Sequence, residues 1–253
     1  MLCKQTIFVM LILAFTVLIP ISLFANMRYV EVSPTAEAVK LRNNSQYGFN
    51  VSFDIQRLGV QEVSTKAGVF DQVSIYDYTY TNAVGDPQLP MLRKIITAPL
   101  GADVQFKVLS REEKELTASN SGLKHRIIPA QAPVSKSADY ATLPFIVNEE
   151  SYARNGFDQK NAIMITELGI MRGVRLLALD FYPVSYNPVQ NALKVIHSMD
   201  ISVEFVNPDF AATEELLAKT ASNEFNQLYQ KTIFNWDSST RQRDRKSTRL
   251  NSS

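Results

Sequence analysis

Covalent catalysis requires a nucleophile and a base, and this sequence offers few of either. Its 253 residues contain one cysteine, Cys3, and two histidines, His125 and His197. Because Cys3 precedes an apolar N-terminal run, the rest of the chain can assemble neither a Cys–His dyad nor a Cys/His zinc site. It also lacks G-x-S-x-G, P-loop and G-x-G-x-x-G motifs. We therefore expect no catalytic residue, no metal and no cofactor in this chain.

Adjacent glutamates are the remaining acid–base candidates. They occur as three pairs: Glu112–Glu113, Glu149–Glu150 and Glu214–Glu215. Neighbouring residues on a strand point to opposite faces, so two such carboxylates do not converge on one substrate. We predict that these pairs are solvated.

One lysine in a proline-bounded segment is the most distinctive candidate for binding. The stretch APVSKSADYATLPF, Ala132 to Phe145, places Lys136 among small residues between Pro133 and Pro144. The two prolines withhold amide donors and disfavour helix, which predicts a surface loop with an exposed Lys136. The alternative is an ordinary solvated lysine, and the loop sequence alone favours that interpretation.

Both termini carry features that do not belong to a folded domain. Lys4, the apolar run from Ile7 to Ile19 and the following SLFA predict a secretory signal peptide over residues 1–25. A transmembrane anchor is the alternative, but the run is shorter than the ~20 apolar residues that span a bilayer. We thus expect secretion to the outside or the cell surface, without a stable membrane anchor after signal cleavage.

The last ten residues, DRKSTRLNSS over 244–253, look like the translation of a sequencing adapter. We exclude them from fold reasoning and expect the chain to be cut before a following domain. The complete chain has 26 basic and 25 acidic residues. This balance provides no basic field for nucleic acid, so we expect no nucleic-acid partner.

Hydrophobic alternation indicates strands through residues 26–208. In YGFNVSFDIQRL, Phe49, Val51, Phe53 and Ile55 share one face. Further strands are predicted at Val73–Tyr80, Lys94–Ala98, Val104–Ser110, Ala162–Glu167, Val174–Tyr182 and Leu193–Val206. Short strands with little helix between them predict a mainly β fold, an antiparallel β-sandwich or jelly-roll-like barrel.

The composition changes near residue 209. Helix-forming residues from Ala211, with Leu217, Phe225 and Leu228 near one stripe, predict a connector helix that leaves the sandwich. The polar, aperiodic NWDSSTRQR follows it. We interpret residues 209–243 as a helical connector and processing segment.

Four segments carry a resemblance to a known family. They are GDPQLPMLRKIITAP from Gly85, LPFIVNEESYARNGF from Leu143, RGVRLLALDFYPVSYNPVQNALKV from Arg172 and LYQKTIFNWDSSTR from Leu228. In this order they resemble the N-terminal propeptide of gingipain-type secreted cysteine peptidases. Gly85-x-Pro87-x-Leu89-Pro90 and Tyr186-Asn187-Pro188 are the most specific pieces.

The resemblance implies a prodomain that assists folding of a cysteine endopeptidase domain in the same precursor and keeps it latent. Its partner is that catalytic domain, and the chain itself has no enzymatic activity. The family inserts a basic loop residue into the peptidase specificity pocket. Counting back from Leu143-Pro144 assigns this role to Lys136, with Ser135 and Pro133 in the same inhibitory loop. The resemblance also implies release by cleavage after Arg241.

Two other classes of function stay open from the sequence. A secreted β-sandwich could serve as a binding or adhesion module without any peptidase partner. An enzyme that uses chemistry within these residues is the weakest alternative, because neither a Cys–His dyad nor a recognisable catalytic motif occurs outside the N-terminal run.

Overall fold

The computed structural model describes residues 27–139, 142–158 and 161–237, and within these ranges it contains twelve strands and three short helices. The strands are β1 (Arg28–Glu31), β2 (Ala38–Ser45), β3 (Gly48–Asp54), β4 (Arg57–Thr65), β5 (Gly68–Ser74), β6 (Thr79–Tyr80), β7 (Pro90–Ala98), β8 (Asp103–Leu116), β9 (Ile163–Met171), β10 (Val174–Phe181), β11 (Val184–Asn187) and β12 (Ala192–Val206). The helices are α1 (Glu149–Ala153), α2 (Phe210–Thr220) and α3 (Asn223–Thr232).

The strands form three antiparallel sheets. One has the order β1-β4-β5 and a second has the order β6-β7-β10-β9. In the third, β12 is flanked along one edge by β11 and β3, and β8 pairs with β12 as well. The mainly β, antiparallel prediction is confirmed.

The core lies between the β3–β12 sheet and the β7–β10 sheet. Phe49, Val51, Phe53 and Ile55 are all buried, as the alternation in YGFNVSFDIQRL predicts. The rings of Phe53 on β3 and Phe181 on β10 stack with their centroids 4.5 Å apart. One cluster of buried apolar side chains joins the sheets, so the architecture is a sandwich stabilised by apolar burial.

Strand boundaries differ from the sequence prediction where local backbone geometry intervenes. The predicted strand Val73–Tyr80 is interrupted after Ser74, because Asp77 adopts a left-handed conformation with φ 61° and the chain turns there. The sequence pattern did not predict four of the strands, which are β1, β2, β4 and β11. In β2, for example, exposed and half-buried positions follow one another without a regular period, so its sequence carries little alternation.

The C-terminal helices also differ from the prediction. A single connector leaving the sandwich was expected, but α2 and α3 are separated at Ala221 and Ser222, and they pack on the outer face of the β7–β10 sheet. Tyr229 and Ile233 are buried there against Val174. The predicted stripe holds for Leu217 and Phe225, which pack on this cluster, whereas Leu228 is 44% exposed.

The β9–β10 turn explains why the helices stay close to the sheet. Arg172 and Gly173 have φ of 45° and 82°, which closes a tight hairpin. A Cβ on Gly173 would lie 2.6 Å from the Thr220 hydroxyl oxygen, so only glycine allows this approach. The Thr220 hydroxyl in turn donates to the Arg172 carbonyl at 2.6 Å.

A buried carboxylate links the small β1-β4-β5 sheet to the chain that follows β8. The Asp71 side chain on β5 has no exposed surface. Its Oδ1 accepts from Arg28 Nη2 at 2.9 Å, and its Oδ2 accepts from the backbone amides of Lys124 and His125, both at 2.6 Å. Buried charge is tolerated because it is paired and fully hydrogen-bonded.

A second buried carboxylate belongs to β10. Asp180 has no exposed side-chain surface and accepts two hydrogen bonds from Arg93 on β7, from Nε and Nη2, both at 2.7 Å. This hydrogen bonding raises the pKa of the Arg93 guanidinium. The pair therefore fixes the register of the two central strands of its sheet.

We expect Asp71→Ala to lower the free energy of unfolding by about 2–4 kcal/mol, because it leaves Arg28 and two amides without their shared acceptor. Chemical denaturation of the chain followed by circular dichroism measures this loss. Asp103→Ala, which removes an exposed carboxylate at the start of β8, is the matched control and should change stability by less than about 0.5 kcal/mol. Equal stabilities for the two variants would contradict the assigned role of Asp71.

Candidate functional site

The segment from 132 to 145, here named the Lys136 loop, connects β8 to α1, and its described residues 132–139 and 142–145 lie on the surface. Lys136 and Pro133 are exposed, as the sequence predicted, and Val134 is 40% exposed between them. Among the described residues, none forms a hydrogen bond or ion pair with the Lys136 ammonium. The side chain therefore presents a solvated positive charge to the outside.

A four-residue turn carries Lys136. The Ala138 amide donates to the Ser135 carbonyl at 3.0 Å, which makes Lys136 the second residue of a β-turn. The Ser135 hydroxyl also accepts from the Ser137 amide at 3.3 Å and lies 2.9 Å from the Ser137 hydroxyl. Side-chain bonds of this kind stabilise turns locally. The peptide bond between Lys136 and Ser137 is thus the central bond of the turn.

Contacts with β5 and the β4–β5 turn hold the outgoing side of the loop. Phe145 packs on Phe70, with ring centroids 5.4 Å apart. The Lys66 ammonium donates to the Leu143 carbonyl. Phe70 is itself buried, so the loop returns to the body of the domain at this point.

Gln131 closes the loop at its base. Its Nε2 donates to the Ile146 carbonyl at 2.8 Å, and its Oε1 accepts from the Ile146 amide at 3.0 Å. The same Nε2 lies 3.2 Å from the carbonyls of Pro129 and Ala130. One side-chain amide therefore joins the two residues that flank the 14-residue loop, in the manner of a strand pair.

The Gly85-x-Pro87 motif forms the support beneath this closure. Gly85 donates to the Ala130 carbonyl at 2.8 Å and accepts from the Asn148 amide at 2.9 Å. Its φ is 84°, and a Cβ would lie 2.9 Å from the Asn148 nitrogen. A side chain at this position would therefore collide with the backbone that ends the loop.

Asp86 strengthens the same support. Its Oδ1 accepts from Asn148 Nδ2 at 2.8 Å and from the Ser151 hydroxyl at 2.6 Å, and its carbonyl accepts from the Ala130 amide at 2.9 Å. The motif thus holds both flanks of the Lys136 loop at once.

The chain that enters the loop is anchored more deeply. Asp71 donates its amide to the Arg126 carbonyl at 3.0 Å, and the Ile128 amide donates to the Asp71 carbonyl at 2.9 Å. The Tyr152 hydroxyl of α1 donates to the Ile127 carbonyl at 2.6 Å, and burial raises the pKa of Tyr152. These bonds fix the segment preceding Gln131 on both sides.

The second motif, Tyr186-Asn187-Pro188, has a structural role at the β11–β12 turn. Tyr186 is buried, its hydroxyl donates to Asn191 Oδ1 at 2.7 Å, and burial raises its pKa to about 12. The Asn187 Oδ1 accepts from the Gln190 amide at 3.2 Å. Among the described residues, the hydrogen bonds of these two side chains go to Asn191, Asn155 and Gln190, outside the Lys136 loop.

The segment after α3 runs beside the free edge of β7. Ile233 forms a parallel bridge with Ile95, and the Phe234 amide donates to the Ile95 carbonyl at 2.7 Å. The buried side chain of Asn235 accepts from the Thr97 amide and donates to the Thr97 carbonyl, both at 2.8 Å. The predicted processing residue Arg241 lies outside the described residues, as do residues 1–26, which contain the predicted signal peptide.

The groups considered for catalysis are dispersed. His197 lies half-buried on β12, and His125 precedes the loop with its backbone bound to Asp71. The six glutamates of the three pairs are exposed, which confirms that prediction. Within the described ranges, no group of three or more His, Cys, Asp or Glu residues could hold a metal ion.

A cavity of about 800 Å³ opens between α2, α3 and the adjacent strand ends, with Phe210, Phe225 and Trp236 among its lining residues. It contains no residue of the Lys136 loop. No helix in the part of the chain that the structure describes has both the length and the apolar character to span a bilayer.

The sequence pattern selected Lys136, Ser135 and Pro133 as candidates, and it did not indicate that Gln131, Asp86 and Asn148 hold the base of their loop. The sequence showed that the motif around Gly85 is distinctive, but it did not predict that this motif holds Ala130 and Asn148. Gln131 carries no local signal, because its partner Ile146 lies 15 residues away.

A family profile and two relatives among known proteins all relate this chain to gingipains. The Propeptide_C25 family profile matches residues 30–242. Lys-gingipain of Porphyromonas gingivalis is 35% identical over 228 residues, which represent 90% of this chain and 13% of that relative. Gingipain R2 of the same species is 21% identical over 202 residues, 79% of this chain and 26% of the relative. The chain therefore spans only a small part of the relatives that it matches.

Two solved structures share the fold. A structure described as giving insight into zymogenic latency of gingipain K from Porphyromonas gingivalis matches with a TM-score of 0.67 at 35% identity, over 71% of this chain and 98% of that one. A complex of Porphyromonas gingivalis RgpB pro- and mature domains matches in fold with a TM-score of 0.62 at 21% identity, over 79% of this chain and 98% of that one. With the family profile covering residues 30–242 and 35% identity to Lys-gingipain, this chain belongs to the Propeptide_C25 family, the propeptides of gingipain-type cysteine peptidases.

Proposed function

We propose that this propeptide assists the folding of a secreted cysteine endopeptidase and keeps it latent by inserting Lys136 into the specificity pocket of that catalytic domain. The observation that carries the proposal is the solvated ammonium of Lys136 on a turn whose supporting loop is tied at its base. The partner is the cognate peptidase domain encoded in the same precursor. Secretion through the N-terminal signal peptide belongs to this proposal.

The geometry supports inhibition because hydrogen bonds hold the turn at Lys136 and both ends of the loop before binding. Ordering a flexible segment on association costs conformational entropy, and a loop already held by hydrogen bonds avoids much of that cost. An exposed lysine gains little from an opposite charge in water. In a pocket that displaces water, the same charge pair is much stronger.

We propose further that the partner peptidase prefers lysine over arginine. The lysine at position 136 supports this, and so does 35% identity to proteins named Lys-gingipain, compared with 21% to gingipain R2. Ammonium and guanidinium groups differ in size and in hydrogen-bond geometry, so a pocket distinguishes them by shape as well as charge.

We propose release of the propeptide by cleavage after Arg241. Asn235 fixes the exit of the chain at the edge of β7, and Asp237 is four residues from Arg241, a reach of roughly 14 Å when extended. The nearest upstream lysines are less suitable for a peptidase. Lys231 lies in α3, and Lys219 lies in α2 with an ion pair to Glu215. If the partner prefers lysine, cleavage after Arg241 requires a second, arginine-specific peptidase or a tolerant pocket.

Lys136→Ala should weaken inhibition of the mature peptidase from the same gene. Loss of a desolvated charge pair corresponds to about 2–5 kcal/mol, or a roughly 30-fold to more than 1,000-fold higher inhibition constant. The measurement is steady-state inhibition by the chain added in trans.

Lys107→Ala is the matched control, since Lys107 is an exposed lysine on β8 and its removal should leave the inhibition constant unchanged. Lys136→Arg tests the preference of the pocket and should inhibit less well than the wild type. Equal inhibition by the wild type and Lys136→Ala would make Lys136 an ordinary surface lysine. A wild-type chain without inhibitory activity would favour a binding or adhesion module.

Processing of the intact precursor should produce a propeptide that ends at Arg241, because the sequence there is polar and has no hydrophobic periodicity. Mass spectrometry of the released propeptide determines this terminus, and Arg241→Gln should delay release. A terminus at Lys231 or Lys219 would refute the assignment and indicate self-processing after lysine.

A further inference from the structure

We propose that Gln131 is a positioning residue that makes the Lys136 loop an inhibitor instead of a substrate. The inference rests on the proposed function of Lys136 and concerns what happens to the bond after that lysine. A loop that presents a preferred side chain to a peptidase is also a candidate for cleavage. Two hydrogen bonds at the base of the loop oppose this cleavage.

These two hydrogen bonds join the Gln131 side-chain amide to the Ile146 backbone, at 2.8 and 3.0 Å. A primary amide offers both a donor and an acceptor in one plane, and this pairing uses both. Ala130 and Asn148, just outside the pair, are each bonded to Gly85. Gln131 therefore extends the pairing of the two chain segments from Gly85 to the base of the loop.

Cleavage at the turn would begin with attack of the peptidase thiolate on the Lys136 carbonyl carbon. The bond from this carbon to the Ser137 nitrogen would break, the nitrogen would take a proton, and a thioester would join Lys136 to the enzyme. With an ordinary substrate the amine fragment departs and water hydrolyses the thioester.

In this loop the new Ser137 amine stays attached to Ile146, and Gln131 holds Ile146 beside the start of the loop. The amine therefore remains at high effective concentration near the thioester. Its attack reforms the peptide bond and expels the thiolate, which restores the intact inhibitor. The Ser135–Ala138 hydrogen bond at 3.0 Å also favours the uncleaved turn.

Gln131→Met tests the inference, because methionine has similar volume but lacks both hydrogen-bonding groups. Added in trans to the mature peptidase of the same gene, this variant should have a roughly tenfold higher inhibition constant, because the unpaired ends of the loop must then be ordered on binding. Mass spectrometry over a time course should also show faster accumulation of chain cut between Lys136 and Ser137. Gln190→Met, at an exposed glutamine in the β11–β12 turn, is the matched control and should match the wild type in both measurements.

Increased cleavage together with an unchanged melting temperature distinguishes positioning from general stabilisation. If Gln131→Met is destabilised, Gln131→Glu decides, since its carboxylate still accepts from the Ile146 amide but cannot donate to the Ile146 carbonyl. Wild-type behaviour of this variant in both inhibition and cleavage would overturn the inference. Wild-type behaviour of a stable Gln131→Met would also overturn it, while the role of Lys136 stands. Equal inhibition by the wild type and Lys136→Ala would instead contradict the proposed function itself.

Discussion

The buried carboxylate of Asp71 is the interaction on which the placement of the Lys136 loop depends. It accepts hydrogen bonds from Arg28 and from the amides of Lys124 and His125, so one charge joins β1, β5 and the chain that leads to the loop. A carboxylate without solvent contact is stable only when its oxygens are satisfied. This requirement determines where residues 124–128 run, and their position determines where the Lys136 loop begins.

From that anchor the structure becomes progressively more exposed toward Lys136. Residues 126–128 are held by backbone bonds to Asp71, Ala130 is held by the Gly85 support, and Gln131 then ties the base of the loop. Residues 132–137 are exposed, and the two serines of the turn order it locally. The domain therefore presents one charged side chain on a locally bonded turn, and the proposed insertion into a peptidase pocket rests on this geometry.

The C-terminal helices and the residues after them are held by apolar burial and by hydrogen bonds at a sheet edge. The helices α2 and α3 bury Tyr229 and Ile233 on the outer face of the β7–β10 sheet, and Asn235 completes the edge of β7 with its own side chain. Because buried backbone groups need partners, an asparagine that imitates a strand residue can end a sheet edge without another strand. This arrangement gives the chain a defined exit before the segment that we propose is processed.

The β class, the main core strand, the exposed lysine between prolines and the family follow from the amino-acid sequence, because these depend on short-range alternation, on proline geometry and on contiguous motifs. The three-dimensional fold was needed to show that α2 and α3 pack back on the sheet, that β1 and β2 are strands, and that Gln131, Asp86 and Asp71 support the loop. The partners in the last group are separated by 15 to 65 residues along the chain. Hydrogen bonds over such separations form only once the sandwich has brought their strands together, so no local pattern encodes them.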